Sequence, residues 1–146
     1  AHVASREATC AVENIMGRDS HAVYHAVPRC LYTHPEIGAV GLTEAQAQEE
    51  GIKYKKGIFS FAGIGKALVI GQTGGFVKIL VDENDKIIGA AVVGPEATDL
   101  LTELTLAVHL GLTAKQVGEV IHPHPTLSEA LMEALHDVHK ESVHAF

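Results

Sequence analysis

Apolar residues recur at three-to-four spacing over residues 1–16 (Val3, Ala4, Ala8, Ala11, Val12, Ile15, Met16), and Gly17 ends the run. That period predicts an amphipathic helix. No capping residue precedes it, so its first amides lack partners and the chain is expected to have been cut from something longer. Residues 18–26 are polar and turn-like. Two short apolar runs, 29–32 and 37–41, flank Thr33-His34-Pro35-Glu36 and read as strands around a proline-containing connection. Thr43-Glu44-Ala45-Gln46 is a capping box opening a short helix that stops at Gly51. A strand is predicted over 52–60, and the five glycines between Gly63 and Gly75 predict a long loop. Residues 76–81 and 86–93, joined by Asp82-Glu83-Asn84-Asp85, give the strongest hairpin pattern in the chain.

After Pro95 the period changes to that of helices. Leu100, Leu101, Leu104, Ala107 and Val108 form one stripe that Gly111 terminates. Thr113-Ala114-Lys115-Gln116 and Thr126-Leu127-Ser128-Glu129 are two further capping boxes. The second opens a last helix with Leu127, Ala130, Leu131, Ala134, Leu135 and Val138 on one face. Strands first and helices last predict an α+β fold, an antiparallel sheet with helices packed on one side. There is no internal repeat.

Length and charge narrow the class. The chain has 146 residues, 47% of them hydrophobic and 20% charged, the balance of a single globular domain. The net charge of −7 argues against nucleic acid or an anionic membrane as main partner. No apolar run reaches the ~18 residues that span a bilayer, and no apolar core follows Ala1, so a cytoplasmic location is expected. Cys10 and Cys30 form no CxxC pair and no disulfide framework, and read as small buried residues.

Three stretches carry candidate chemistry. Gly63-Ile64-Gly65-Lys66-Ala67-Leu68 begins like a dinucleotide loop but lacks its third glycine, and no helix is predicted after it. The ten histidines include His122-x-His124 and His136, His139 and His144 along the last helix, but no third fixed ligand completes a tetrahedral set. No metal site is expected. The third stretch is Ile121-His122-Pro123-His124-Pro125-Thr126-Leu127-Ser128-Glu129-Ala130. With Thr126 at the N-cap and Glu129 three residues into the helix, His124 lies just outside the helix start, on backbone restrained by two prolines. A His–Pro bond can be cis at modest cost, which would aim the imidazole away from its own helix. Glu129 is the carboxylate near enough in sequence to reach one ring nitrogen and select the tautomer. Such a pair is a general acid/base; equally, Glu129 can be a capping residue and His124 a loop residue. The chain holds nothing for His124 to act on, so a catalytic His124 takes its partner from another domain or another chain.

His124-Pro125-Thr126-Leu127-Ser128-Glu129-Ala130 resembles the C-terminal signature of the dihydrolipoamide dehydrogenase family of flavoprotein disulfide reductases. Tyr32-Thr33-His34-Pro35-Glu36 with Val40-Gly41 resembles the opening of that family's interface domain, and Ala1-His2-Val3-Ala4 the FAD-domain helix before it. The order is the family's, and the matches cover nearly the whole chain. The resemblance implies that residues 1–24 are a tail helix and linker from a preceding FAD domain, and that 25–146 are a homodimerisation domain. It implies that His124, held by Glu129, takes a thiol proton from dihydrolipoamide at the partner subunit's redox disulfide. Electrons then pass through FAD to NAD. His122 and Pro125 would lie near the partner's flavin, and Ala1 and His2 near their own. The implied partners are a second copy and a lipoyl-bearing acyltransferase or H-protein of a 2-oxo acid dehydrogenase or glycine cleavage complex.

The departures are as informative. The family's GxGxxG, its CxxxxC redox pair and its NAD domain are absent from these 146 residues, so the chain alone is expected to be inactive and to hold neither FAD nor NAD. Mercuric reductase carries a C-terminal cysteine pair, which His144-Ala145-Phe146 lacks. Glutathione reductase shares HPT but diverges where this chain has Leu127-Ser128-Glu129-Ala130. The alternatives are the same domain from such a reductase, or a freestanding self-associating module without catalytic role.

Overall fold

A computed structural model describes residues 1–144. Helix α1 (His2–Ile15) leads through a linker to strands β1 (Arg29–Leu31) and β2 (Glu36–Gly41). Helix α2 (Glu44–Glu49), strand β3 (Lys55–Ser60), helix α3 (Gly65–Val69) and the hairpin β4 (Phe76–Val81) and β5 (Ile87–Gly94) follow. Helices α4 (Ala97–Leu110), α5 (Ala114–Gly118) and α6 (Glu129–Asp137) complete the described chain. The five strands pair antiparallel throughout, in the order β1-β2-β5-β4-β3.

Register decides what faces the core. Val40 and Ile79 both pair with Ala90, Val77 pairs with Val92, and Phe59 pairs with Val77. Cross-strand partners share a face, so these side chains form one apolar layer, and all are buried. Leu101, Leu104, Ala107 and Val108 of α4 and Ala130, Leu131, Ala134 and Leu135 of α6 join them in a single core. The α+β layer expected from the sequence is present. Sheet and helix come close at Gly57, where a Cβ would stand 2.1 Å from the Ala134 carbonyl oxygen of α6. Helix α4 ends as predicted, with Gly111 in the left-handed region at φ +66°.

Residues 63–75 are not the long loop that their glycines predict. Phe61–Gly63 forms a 3-10 turn and α3 follows, because Phe61, Ile64 and Ala67 all turn into the core. Strand β3 starts later than predicted, since the Ile52 amide donates to the Ala47 carbonyl and closes α2 instead of pairing in the sheet. At the other end of the chain, the His25 ring stacks on His109 with centroids 6.0 Å apart, joining the linker to α4.

Lys78 alternates with Val77 and Ile79 and therefore points to the opposite face of the sheet, where Glu44 of α2 meets it. Glu44 Oε1 lies 2.7 Å from Lys78 Nζ and Oε2 lies 3.0 Å from Lys56 Nζ. The Lys78 bond first, then Lys56, holds the Glu44 carboxyl down to about 2, against its partial burial. The folded value lies below the ordinary value of 4.5, so the stabilisation is full above that value and fades as pH falls toward 2. Partial exposure screens the pair, so Glu44→Gln is expected to cost about 1–2 kcal/mol near neutrality. Denaturant unfolding across the acid range checks this: the gap between the two proteins should close as pH falls, and a constant gap contradicts it.

Candidate functional site

The site is the connection between α5 and α6. Leu127 is buried and anchors it to the core, whereas Pro123, His124 and Pro125 are exposed. Two prolines remove two amide donors, and between Ile121 and Pro125 no backbone amide pairs with a backbone carbonyl. Side chains therefore hold the segment. The Thr126 hydroxyl donates to the Pro123 carbonyl at 2.6 Å, and the Thr126 amide donates to Glu129 Oε2 at 2.8 Å.

This changes the predicted start of the last helix. Thr126 does not cap it: its hydroxyl is turned to Pro123 and to Ser128 Oγ at 2.8 Å, and α6 begins at Glu129 with Ser128 at the N-cap. Half of the capping box survives, the carboxylate on the Thr126 amide. The other oxygen of Glu129 is thereby aimed at His124, with Oε1 2.8 Å from His124 Nδ1. A carboxylate only accepts, so Nδ1 carries the hydrogen and Nε2 is the outward nitrogen of a ring whose side chain is 77% exposed. The His124–Pro125 bond is cis, as is His34–Pro35. Burial pushes the Glu129 carboxyl up, but the His124 ring and the Thr126 amide outweigh it and hold the group below the usual carboxylate range. Glu129 is thus an anion that orients an exposed imidazole.

His122 is placed differently. Its side chain is only 4% exposed, with Nε2 2.9 Å from Glu103 Oε1 of α4 and Nδ1 2.8 Å from the Val120 carbonyl. The Glu103 carboxylate holds it above the ordinary imidazole range, against the opposing effect of burial. His122 borders a groove of about 450 Å³ with Leu106, Val120 and Ile121. His2 instead lines a separate cavity of about 180 Å³ with Arg6, Tyr24 and Pro28, beside the exposed Ala1. Ala1 and His2, expected near their own flavin, stand at the head of α1, and His122 and Pro125, expected near the partner's, in the α5–α6 connection.

A dinucleotide cradle needs a parallel strand, a glycine turn and a long helix. Here the sheet is wholly antiparallel, and the Gly63–Gly65 segment leads into a helix of 5 residues. That a helix follows these glycines departs from the sequence expectation, but it is short and no parallel strand leads into it. Among the described residues no three metal-capable side chains converge. Cys10 and Cys30 are both free, Cys10 buried and Cys30 half-buried. Two carboxylates went unnoticed in the sequence: Glu103, which meets His122 from another helix, and Glu133. Glu133 is 1% exposed and accepts from Ser142 Oγ and the Val143 amide, with His144 Nδ1 at 2.8 Å. A carboxylate one turn beyond Glu129, among Ala130, Leu131, Ala134 and Leu135, was the available signal.

Residues 27–135 match the family model described as pyridine nucleotide-disulphide oxidoreductase, dimerisation domain. Dihydrolipoyl dehydrogenase of Bacillus subtilis is 47% identical over 146 residues, which is 99% of this chain and 31% of that protein. The dihydrolipoyl dehydrogenase of Thermus scotoductus is 44% identical over 145 residues, again 99% of this chain and 31% of its relative. The chain thus spans about a third of the length of the curated relatives it matches. Among solved structures, the HOCl-induced flavoprotein disulfide reductase RclA of Escherichia coli superposes with a TM-score of 0.80 at 24% identity. That match covers 87% of this chain and 30% of RclA, and shows the shared fold. With its sheet, its helices and three quarters of its length inside the family model, the chain belongs to the dimerisation-domain family of the pyridine nucleotide-disulphide oxidoreductases.

Proposed function

We propose that this chain is the dimerisation domain of a dihydrolipoyl dehydrogenase, and that it supplies His124 and Glu129 as an acid/base pair to the partner subunit's active site. The observation that carries this is the 2.8 Å contact between Glu129 Oε1 and His124 Nδ1, which leaves Nε2 facing outward. In the proposed step, His124 Nε2 takes the proton of a dihydrolipoamide thiol. The resulting thiolate attacks one sulfur of the partner's redox disulfide; a new S–S bond forms, the old one breaks and the second sulfur leaves as a thiolate. Glu129 steadies the imidazolium that forms. FAD and NAD belong to the whole enzyme, whose remaining domains would hold them, and the chain alone is inactive.

Residues 1–24 are assigned to the tail of the FAD domain and 25–146 to the dimerisation domain; Ala145 and Phe146 lie outside the described residues. A homodimer is the proposed assembly. Leu106, Val120 and Ile121 are all exposed and line one groove with His122, a partly apolar surface that suits a second copy. His122 and Pro125 are proposed to lie near the partner's flavin, His122 through its backbone since its ring is fully engaged, and Ala1 and His2 near the flavin of their own subunit. A lipoyl-bearing acyltransferase or H-protein is the proposed substrate carrier. No described helix is long and apolar enough to cross a membrane, and the proposed location is the cytoplasm.

The test is His124→Gln in the full-length enzyme. Loss of dihydrolipoamide turnover with the dimer and its flavin retained supports the proposal, and unchanged turnover overturns it.

A further inference from the structure

Glu103 and His122 lie outside the pair described above, yet they form the second histidine–carboxylate contact of the same segment. The Val120 carbonyl and the Glu103 carboxylate are both acceptors that cannot donate. A neutral imidazole has a single N–H and can satisfy one of them, with a lone pair facing the other. Both contacts are made together when the ring is an imidazolium. A cation whose side chain is 4% exposed persists only when paired, and Glu103 is its pair. The charged groups acting on the ring are Glu103 from α4 and Glu129 from the start of α6.

The position of this contact gives it a role. On its C-terminal side, His124 is tied to α6 through Glu129 and Thr126. On its N-terminal side, the chain between Ile121 and Pro125 has no backbone pairing, and the His122 ring is its tie to α4. We infer that Glu103 is a positioning residue: through the His122 imidazolium it fixes the 122–125 segment to α4 and so sets where His124 Nε2 is presented. The inference rests on the proposed catalytic role of His124.

The experiment compares Glu103→Gln, His124→Gln and the parent in the full-length dimeric holoenzyme. Glu103→Gln keeps the size of the side chain and removes its charge. It is expected to lower kcat about 10- to 100-fold with KM nearly unchanged, as a misplaced catalytic group does. It should also make turnover decline at lower pH than in the parent, because the imidazolium is no longer held; a purely structural defect lowers the rate equally at all pH values. A Glu103→Gln enzyme with parental rate and pH profile, beside an impaired His124→Gln enzyme, overturns the inference and leaves the proposed function intact. Parental turnover in both variants overturns both. If Glu103→Gln does not fold, the ring nitrogen signals of His122 in the parent decide by NMR. A ring that stays doubly protonated to a pH above the ordinary imidazole value of 6.5 supports the inference, and one that loses its second proton at or below that value overturns it.

Discussion

Replacing His124 by glutamine in the full-length enzyme is expected to lower dihydrolipoamide turnover about 10²- to 10⁴-fold, the range that a positioned general acid/base contributes. The size follows from what glutamine lacks. It fills similar space and can still reach the 2.8 Å contact with Glu129 Oε1 by donating an amide hydrogen. It has no nitrogen that accepts a thiol proton near neutral pH. The surroundings of the site should therefore survive while the proton transfer is lost. Glu129→Gln keeps an acceptor for the Thr126 amide and is expected to cost less. Its effect should disappear in the double variant, because orienting an absent base has no value. Steady-state kinetics on the two single variants and the double variant check both statements, and simple additivity contradicts the pairing.

The second large effect is expected in strand β3, outside the proposed acid/base pair. At Gly57 of β3 an added Cβ would stand 2.1 Å from the Ala134 oxygen and 2.6 Å from the Val138 nitrogen. Both are backbone atoms of the last helix and its cap, so no side chain can turn aside; the helix itself must move. Gly57→Ala is expected to destabilise the fold by about 2–3 kcal/mol, in the range of overpacked cores. Because α6 begins with Glu129, the displacement also reaches the site, and turnover of the folded fraction should fall about tenfold. Gly65→Ala is the matched control, since its Cβ meets nothing within 4 Å. Denaturant unfolding and kinetics on both variants test this. Equal stability of the two contradicts the close approach.

What was legible in the sequence was local. The Thr43 and Thr113 capping boxes form as read, with Gln46 and Gln116 returning to the threonine amides. The β4–β5 hairpin and the α4 stripe ending at Gly111 also stand where their periods put them. The His124–Glu129 contact was legible because the two are only five positions apart. What failed depended on competition or distance. The Thr126 hydroxyl is drawn to the Pro123 carbonyl, to which it donates, and accepts from no helix amide, so its box closed only halfway. Residues 65–69 were hidden by glycines whose low propensity was outweighed by burial of Ile64 and Ala67. Glu103 is nineteen positions from His122 in the chain, and only the packing of α4 against the α5–α6 connection brings them together. Glu133 carries the same lesson, since a carboxylate in an apolar stripe reads as exposed until the 142–144 segment covers it.

His124 is proposed to serve the partner's active site rather than its own. Subunits carrying His124→Gln would be mixed with subunits whose redox cysteines are replaced, and the heterodimer isolated. Each parental homodimer lacks one essential group at both of its sites. In the heterodimer, a histidine acting across the interface restores one complete site, so turnover should recover to about half that of the parent enzyme. A verified heterodimer as inactive as its two parents would contradict the account.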